Sequence, residues 1–238
     1  MGPVKPSTNP PPVSRFKLVG TLVYLLAWPA MQLWVSGDWG WTAGWFFGVW
    51  LVALSAACIV WLYRKDPALL AERYRRPGSG GQPRADQGIV YGLMCGFIAW
   101  FVVPALDARR FGWTPRLPAW VEAAGGVLLV GAAFFIFRSF ADNPFASALV
   151  RIQTERQHRV VSTGVYGVVR HPMYLGASLM FIGGPLLLGS AWGLLLGAGL
   201  VLLLPVRIVG EERLLVRELD GYEAYRRKVR YRLVPGVW

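Results

Sequence analysis

Six stretches of the chain stay apolar long enough to cross a bilayer, and polar segments separate them. Phe16 to Ser36, Trp41 to Tyr63, Gly88 to Leu106 and Pro118 to about Phe140 each approach the roughly 20 helical residues that span a hydrocarbon core. Pro172 to Leu188 and Ala191 to Ile208 are parted only by Gly189-Ser190, so they read as a helical hairpin. Gly189, Gly193 and Gly197 recur every four residues, a spacing that lets helix backbones approach closely in lipid. After the last run, Leu215, Leu219, Tyr222, Tyr225 and Val229 advance in steps of three and four. They predict one apolar stripe on a C-terminal amphipathic helix, for which a basic helix lying on the membrane surface is one reading.

The fold class expected is therefore all-α: a polytopic membrane bundle of about six transmembrane helices, the last two a hairpin, with a C-terminal amphipathic cytoplasmic helix. Residues 1–15 are rich in Pro, Ser and Asn and read as a disordered tail. Residues 16–140 hold the N-terminal transmembrane helices, and residues 141–238 form the region where chemistry gathers. Between the spans, Gly37-Asp38-Trp39-Gly40 reads as a tight turn beside an interfacial belt of Trp34, Trp39, Trp41 and Trp45. The basic segment 64–87 centres on Gly78-Ser79-Gly80-Gly81. That run lacks the Lys and Ser/Thr of a phosphate-binding loop and reads as a flexible linker. Residues 141–171 are polar and too long for a mere turn.

Composition supports the membrane reading. The chain is 55% apolar, with a mean hydropathy of +0.41, and is not balanced like a soluble protein. Its net charge of +12 belongs to basic loops facing anionic lipid rather than to nucleic acid, for which no soluble module is present. Of the 25 Lys and Arg, 22 fall on segments sharing a side with the N-terminus and 3 on the other. This asymmetry puts both termini in the cytoplasm, in an inner or plasma membrane. Cys58 and Cys95 each sit inside an apolar run and read as packing residues.

Candidate chemistry concentrates in Val161 to Gly176, reading VSTGVYGVVRHPMYLG. Pro172 suits the first position of a helix, with the pre-proline His171 as its cap. The free amides at that tip, with Arg170 and His171 alongside, suit a carboxylate or phosphate. Tyr166 and Tyr174 flank it. Arg207 and Glu211 are four residues apart, on one helical face where the last apolar run ends, and an ionisable pair at that depth is a functional candidate. Glu212 points about 100° away, as a solvated or structural partner. Two histidines with no fitting acidic spacing make no metal site, and nucleophile-elbow and dinucleotide motifs are absent. A helix tip, a carboxylate and tyrosines match the groups of S-adenosylmethionine: carboxylate, ammonium, adenine and sulfonium. A zwitterionic lipid headgroup would satisfy much of the same set.

HRVVSTGVYGVVRHPMYLG (158–176), Arg207 with Glu211-Glu212, and Tyr222-x-x-Tyr225-x-x-x-Val229 together resemble the isoprenylcysteine carboxyl methyltransferase family. The likeness covers about residues 140–238. Phospholipid N-methyltransferases and small-thiol S-methyltransferases share the architecture more loosely. The resemblance implies that S-adenosylmethionine is held by Gln153, His158, Arg159, Val160, Val161, Tyr166, Arg170, His171, Pro172, Met173, Tyr174 and Glu211. It implies that Arg207 binds the substrate carboxylate, with S-adenosylhomocysteine as product and a lipophilic methyl acceptor entering from membrane lipid. Other readings are a sterol-type NADPH reductase and a non-catalytic membrane scaffold in which Arg207 and Glu211 merely pair.

Overall fold

The computed structural model describes residues 13–238, so the tail expectation for residues 1–12 lies outside it. The described residues form eight α-helices and no strand: α1 (Arg15–Ser36), α2 (Thr42–Lys65), α3 (Pro67–Arg73), α4 (Arg84–Ala105), α5 (Ala119–Asp142), α6 (Pro172–Leu188), α7 (Ala191–Glu218) and α8 (Tyr222–Lys228). Five helices are long and apolar enough to cross a membrane: α1, α2, α4 with the π-turn that extends it to Phe111, α5 and α7. The sixth expected span, α6, is apolar but only 17 residues long. Phe16, Phe46, Val127 and Leu202 are among the side chains pointing outward, as lipid-facing positions do. The protein is a polytopic helical membrane bundle.

Small residues bring the last three long helices together. A Cβ on Gly125 of α5 would collide with the Leu187 amide nitrogen of α6, and one on Gly183 would lie 2.9 Å from the Gly125 carbonyl oxygen. A Cβ on Gly197 of α7 would collide with the Phe181 carbonyl of α6, so the glycine repeat does set the hairpin's packing. Gly189 ends α6 at φ +73°, a left-handed turn that glycine adopts without strain, and the Ser190 hydroxyl caps α7 by accepting from Gly193 N at 2.8 Å. Trp100 of α4 completes the centre: its indole donates to the Phe181 carbonyl at 2.9 Å among Phe47, Phe101 and Leu129.

The five long helices and the shorter α6 return the chain to the end where it started. There the Tyr74 hydroxyl donates to Thr21 of α1 at 2.6 Å, Arg151 pairs with Glu72, and His171 N donates to the Arg232 carbonyl. At the opposite end, buried Asp107 accepts from Thr114 Oγ1 and Ser190 Oγ, and Arg109 pairs with Asp38. Trp34, Trp39 and Trp45 are exposed at that end as a belt requires, whereas Trp41 is buried under Gly44.

Three expectations need correction. The segment 64–87 is no plain linker: Asp66 caps α3 by accepting from Leu69 N at 2.9 Å, Pro67 takes its first position, and Leu69 and Leu70 are buried. Within it, Gly80 packs on the Arg151 side chain. The helix from Ala191 does not stop near Ile208 but continues to Glu218. Gly221, at φ +81°, then breaks the chain direction before α8. The stripe from Leu215 to Val229 therefore spans two helices, and it buries against Ile152 and Val160 rather than lying on a membrane surface.

Candidate active site

Pro172 fixes the start of α6, with His171 as the capping residue and no side chain bonded to the tip. Leu175 N donates to the His171 carbonyl at 3.1 Å, and proline has no amide hydrogen, so Met173 and Tyr174 carry the free amides of the first turn. Both residues line a cleft of about 820 Å³, counting its part open to solvent, at the basic end of the bundle. The loop 143–171 forms one wall, and Glu211, Leu214, Leu215, Tyr222 and Tyr225 form the other.

Glu211 enters this cleft from α7 and accepts from the Tyr174 hydroxyl at 2.7 Å. His158 lies across from it, stacked on Phe145 with ring centroids 4.5 Å apart, its Nδ1 accepting from Gln153 N. Burial, then Arg151 and Arg156, lower its pKa to about 4, so the imidazole is neutral at pH 7. Tyr166, whose phenol is pushed up by burial, is held by Tyr225, which donates to its carbonyl at 2.8 Å. Asp142 shapes the preceding turn: its carboxylate accepts from Val165 N, and Gly164, at φ +59°, leaves it room.

The positive side chains at the mouth already have an anion. Arg170 Nε donates to Glu212 at 2.7 Å, His171 Nε2 lies 3.2 Å from the same carboxylate, and Arg232 binds its other oxygen at 2.9 Å. Arg170 also donates to the Val229 and Arg230 carbonyls. Glu212 is thus the structural partner, and it fastens the C-terminal segment to the base of α6. Arg170 and His171 line the cleft, but the anion they face is the protein's own; what remains for a ligand's carboxylate is the first turn of α6 and the exposed Arg159.

Of the sequence-predicted residues, His158, Arg159, Val160, Val161, Tyr166, Arg170, His171, Met173, Tyr174 and Glu211 all border one cleft. Pro172 and Gln153 do not. Gln153 is fully buried, its amide donating to the Phe145 carbonyl and accepting from Arg156, so it shapes the loop. Arg207 stands outside the cleft, 5.7 Å over the Tyr174 ring. It does not pair with Glu211; it donates to Asp86 at 2.9 Å and to the Ala148 carbonyl at 2.6 Å. Sequence reasoning misses Asp86, in the first turn of a spanning helix, although an acid at such a position is itself a signal. It also misses Glu72, buried beneath Arg151, Arg75 and Ser147.

Residues 120–220 match the family model for phospholipid methyltransferases. The chain is also similar to the protein-S-isoprenylcysteine O-methyltransferase of Schizosaccharomyces pombe, 40% identical over 86 residues, which is 35% of this chain and 36% of that protein. The chain thus spans about a third of the length of the curated relative it matches. Both matches are to methyltransferases, and the resemblance to that class is borne out.

Proposed function

We propose that the protein is an S-adenosylmethionine-dependent membrane methyltransferase acting on a lipophilic acceptor, with its active site and both termini on the cytoplasmic side. The observation that carries this reading is the cleft itself: an uncapped helix tip and a carboxylate face each other within a segment that matches methyltransferases. The residues present fit the donor's groups. The Met173 and Tyr174 amides suit its carboxylate, Glu211 suits its ammonium, and the rings of Tyr166, Tyr174 and Tyr222 suit its adenine and sulfonium. The imbalance of Lys and Arg supports the cytoplasmic orientation, and the origin of the cleft's walls supports a division into N-terminal helices and a catalytic region 141–238.

When bound, S-adenosylmethionine supplies a methyl group on positively charged sulfur, which an ionised carboxylate acceptor takes in line without a general base. The protein's part is alignment and exclusion of water, effects worth several kcal/mol in general. Tyr174, fixed by Glu211, orients one wall, and neutral His158 adds no charge to repel the sulfonium. Arg207, braced by Asp86, backs the Tyr174 ring from outside the cleft. The phospholipid family match favours a second acceptor class, an amine, which must lose a proton. The purified protein, given donor labelled in its methyl group, should transfer label into a lipid-extractable methyl ester, or into a lipid amine for the second acceptor class. Label in a volatile thioether alone, or no transfer to any lipid, contradicts the lipophilic-acceptor reading.

A further inference from the structure

The polar cleft has an apolar neighbour. A second cavity of about 880 Å³, counting its open part, lies among α1, α2, α3, α5 and α6, with walls including Leu25, Leu54, Leu62, Ile136 and Met180. One full charge lines it: Arg73 of α3. Arg151, Arg156, Arg170 and Arg207 each bind a carboxylate of the protein. Arg73 has no carboxylate within ion-pair distance among the described residues. Its Nη1 donates to the Ala146 carbonyl at 3.2 Å and lies 4.0 Å from the Met173 sulfur, and its guanidinium sits 4.4 Å over the Phe140 ring. Burial lowers its pKa to about 10, which leaves it protonated at neutral pH. A cation held in apolar surroundings without an anion is costly, and a ligand that brings one offsets that cost.

Met173 also lines the polar cleft, so the two cavities meet at the Arg73–Met173 contact. One is polar and opens at the basic end; the other is apolar and lies among membrane helices. We propose that the apolar cavity is the acceptor site and that Arg73 binds the carboxylate of a hydrocarbon-chain acid there, at the wall shared with the methyl donor's cleft.

This inference rests on the methyltransferase reading. A carboxylate oxygen forms the bond to the methyl carbon, the carbon–sulfur bond breaks with its electron pair going to sulfur, and no proton moves. The ester formed has lost the charge that Arg73 holds, so product binds more weakly than substrate.

The test uses the full chain in phosphatidylcholine nanodiscs, titrated with N-acetyl-S-farnesylcysteine, with its methyl ester, and separately with S-adenosylhomocysteine. The wild type should bind the acid at least tenfold more tightly than the ester, in line with a charge-assisted pair. Arg73→Gln should abolish that preference while keeping ester and S-adenosylhomocysteine binding, and Arg73→Lys should restore part of it. Leu54→Trp, which fills the cavity, should weaken acid and ester alike. Equal wild-type affinity for acid and ester, or an unchanged preference in Arg73→Gln, overturns the role of Arg73 while S-adenosylhomocysteine binding keeps the methyltransferase reading intact. Should Arg73→Gln lose ester binding through misfolding, Arg73→Lys decides: ester binding with no acid preference overturns the proposal. A wild type that binds neither S-adenosylhomocysteine nor the acid defeats the methyltransferase reading itself.

Discussion

The Tyr174 hydroxyl donates a 2.7 Å hydrogen bond to Glu211, joining the first turn of α6 to α7 inside the cleft. Two residues 37 positions apart, on consecutive helices, thereby meet in one volume: the first turn of α6 and a carboxylate of α7. The donor-binding reading depends on that join.

Glu211→Gln keeps the shape and removes the charge. A hydrogen bond to a charged group contributes about 1.5–3 kcal/mol, so S-adenosylhomocysteine binding should weaken by roughly tenfold or more, measured by calorimetry. Tyr174→Phe should cost less, because the carboxylate remains. Equal affinity in Glu211→Gln and wild type removes Glu211 from the site.

Glu212, one residue further, should behave differently. It is buried and binds Arg170, His171 and Arg232, so Glu212→Ala leaves Arg170 buried and unpaired. Breaking a buried pair costs roughly 3–5 kcal/mol, and the low end applies because Arg232 is partly exposed. The melting temperature in detergent should fall clearly, and limited proteolysis should release the C-terminal segment first. A melt matching wild type removes the fastening role.

Gly125→Ala drives a methyl group into a backbone nitrogen of α6 and to 2.7 Å from the Gly183 carbonyl oxygen, where neither helix can yield without separating. A methyl group on its neighbour Gly126 would meet nothing within 4 Å, so Gly126→Ala should melt like wild type while Gly125→Ala melts lower. Identical melts would show that α5 and α6 do not pack through these glycines.

His158 predicts a pH dependence. Its folded-state pKa, about 4, lies below the ordinary 6.5, so the unfolded chain takes up the proton first as pH falls. The stability it contributes is complete above about pH 6.5 and is lost progressively down to about pH 4. Thermal melts at pH 7 and pH 5 should therefore differ less for His158→Gln than for wild type. An equal difference in both proteins contradicts the buried, neutral imidazole.

Local rules make α6 legible. Proline at the first position, glycine beyond the last and an unbroken apolar run between them fix Pro172–Leu188 to the residue. Hydropathy misplaces the end of α7, because Glu, Arg and Leu continue a helix after the membrane ends. The helix Pro67–Arg73 hides in a basic segment although Asp66-Pro67 is a starting signal. Grouping His158, Tyr166, Tyr174 and Glu211 comes from a family resemblance, and the fold brings them together. What residue spacing cannot reveal is which acid each arginine meets: Arg170 with Glu212, Arg207 with Asp86 and Arg151 with Glu72 are pairings between distant segments.

Calorimetry on the detergent-solubilised protein tests the central claim most directly, with S-adenosylhomocysteine and NADPH titrated in parallel. Binding of S-adenosylhomocysteine at one site per chain, with no heat from NADPH, is the result the cleft predicts. Binding of NADPH alone, or of neither, would contradict it.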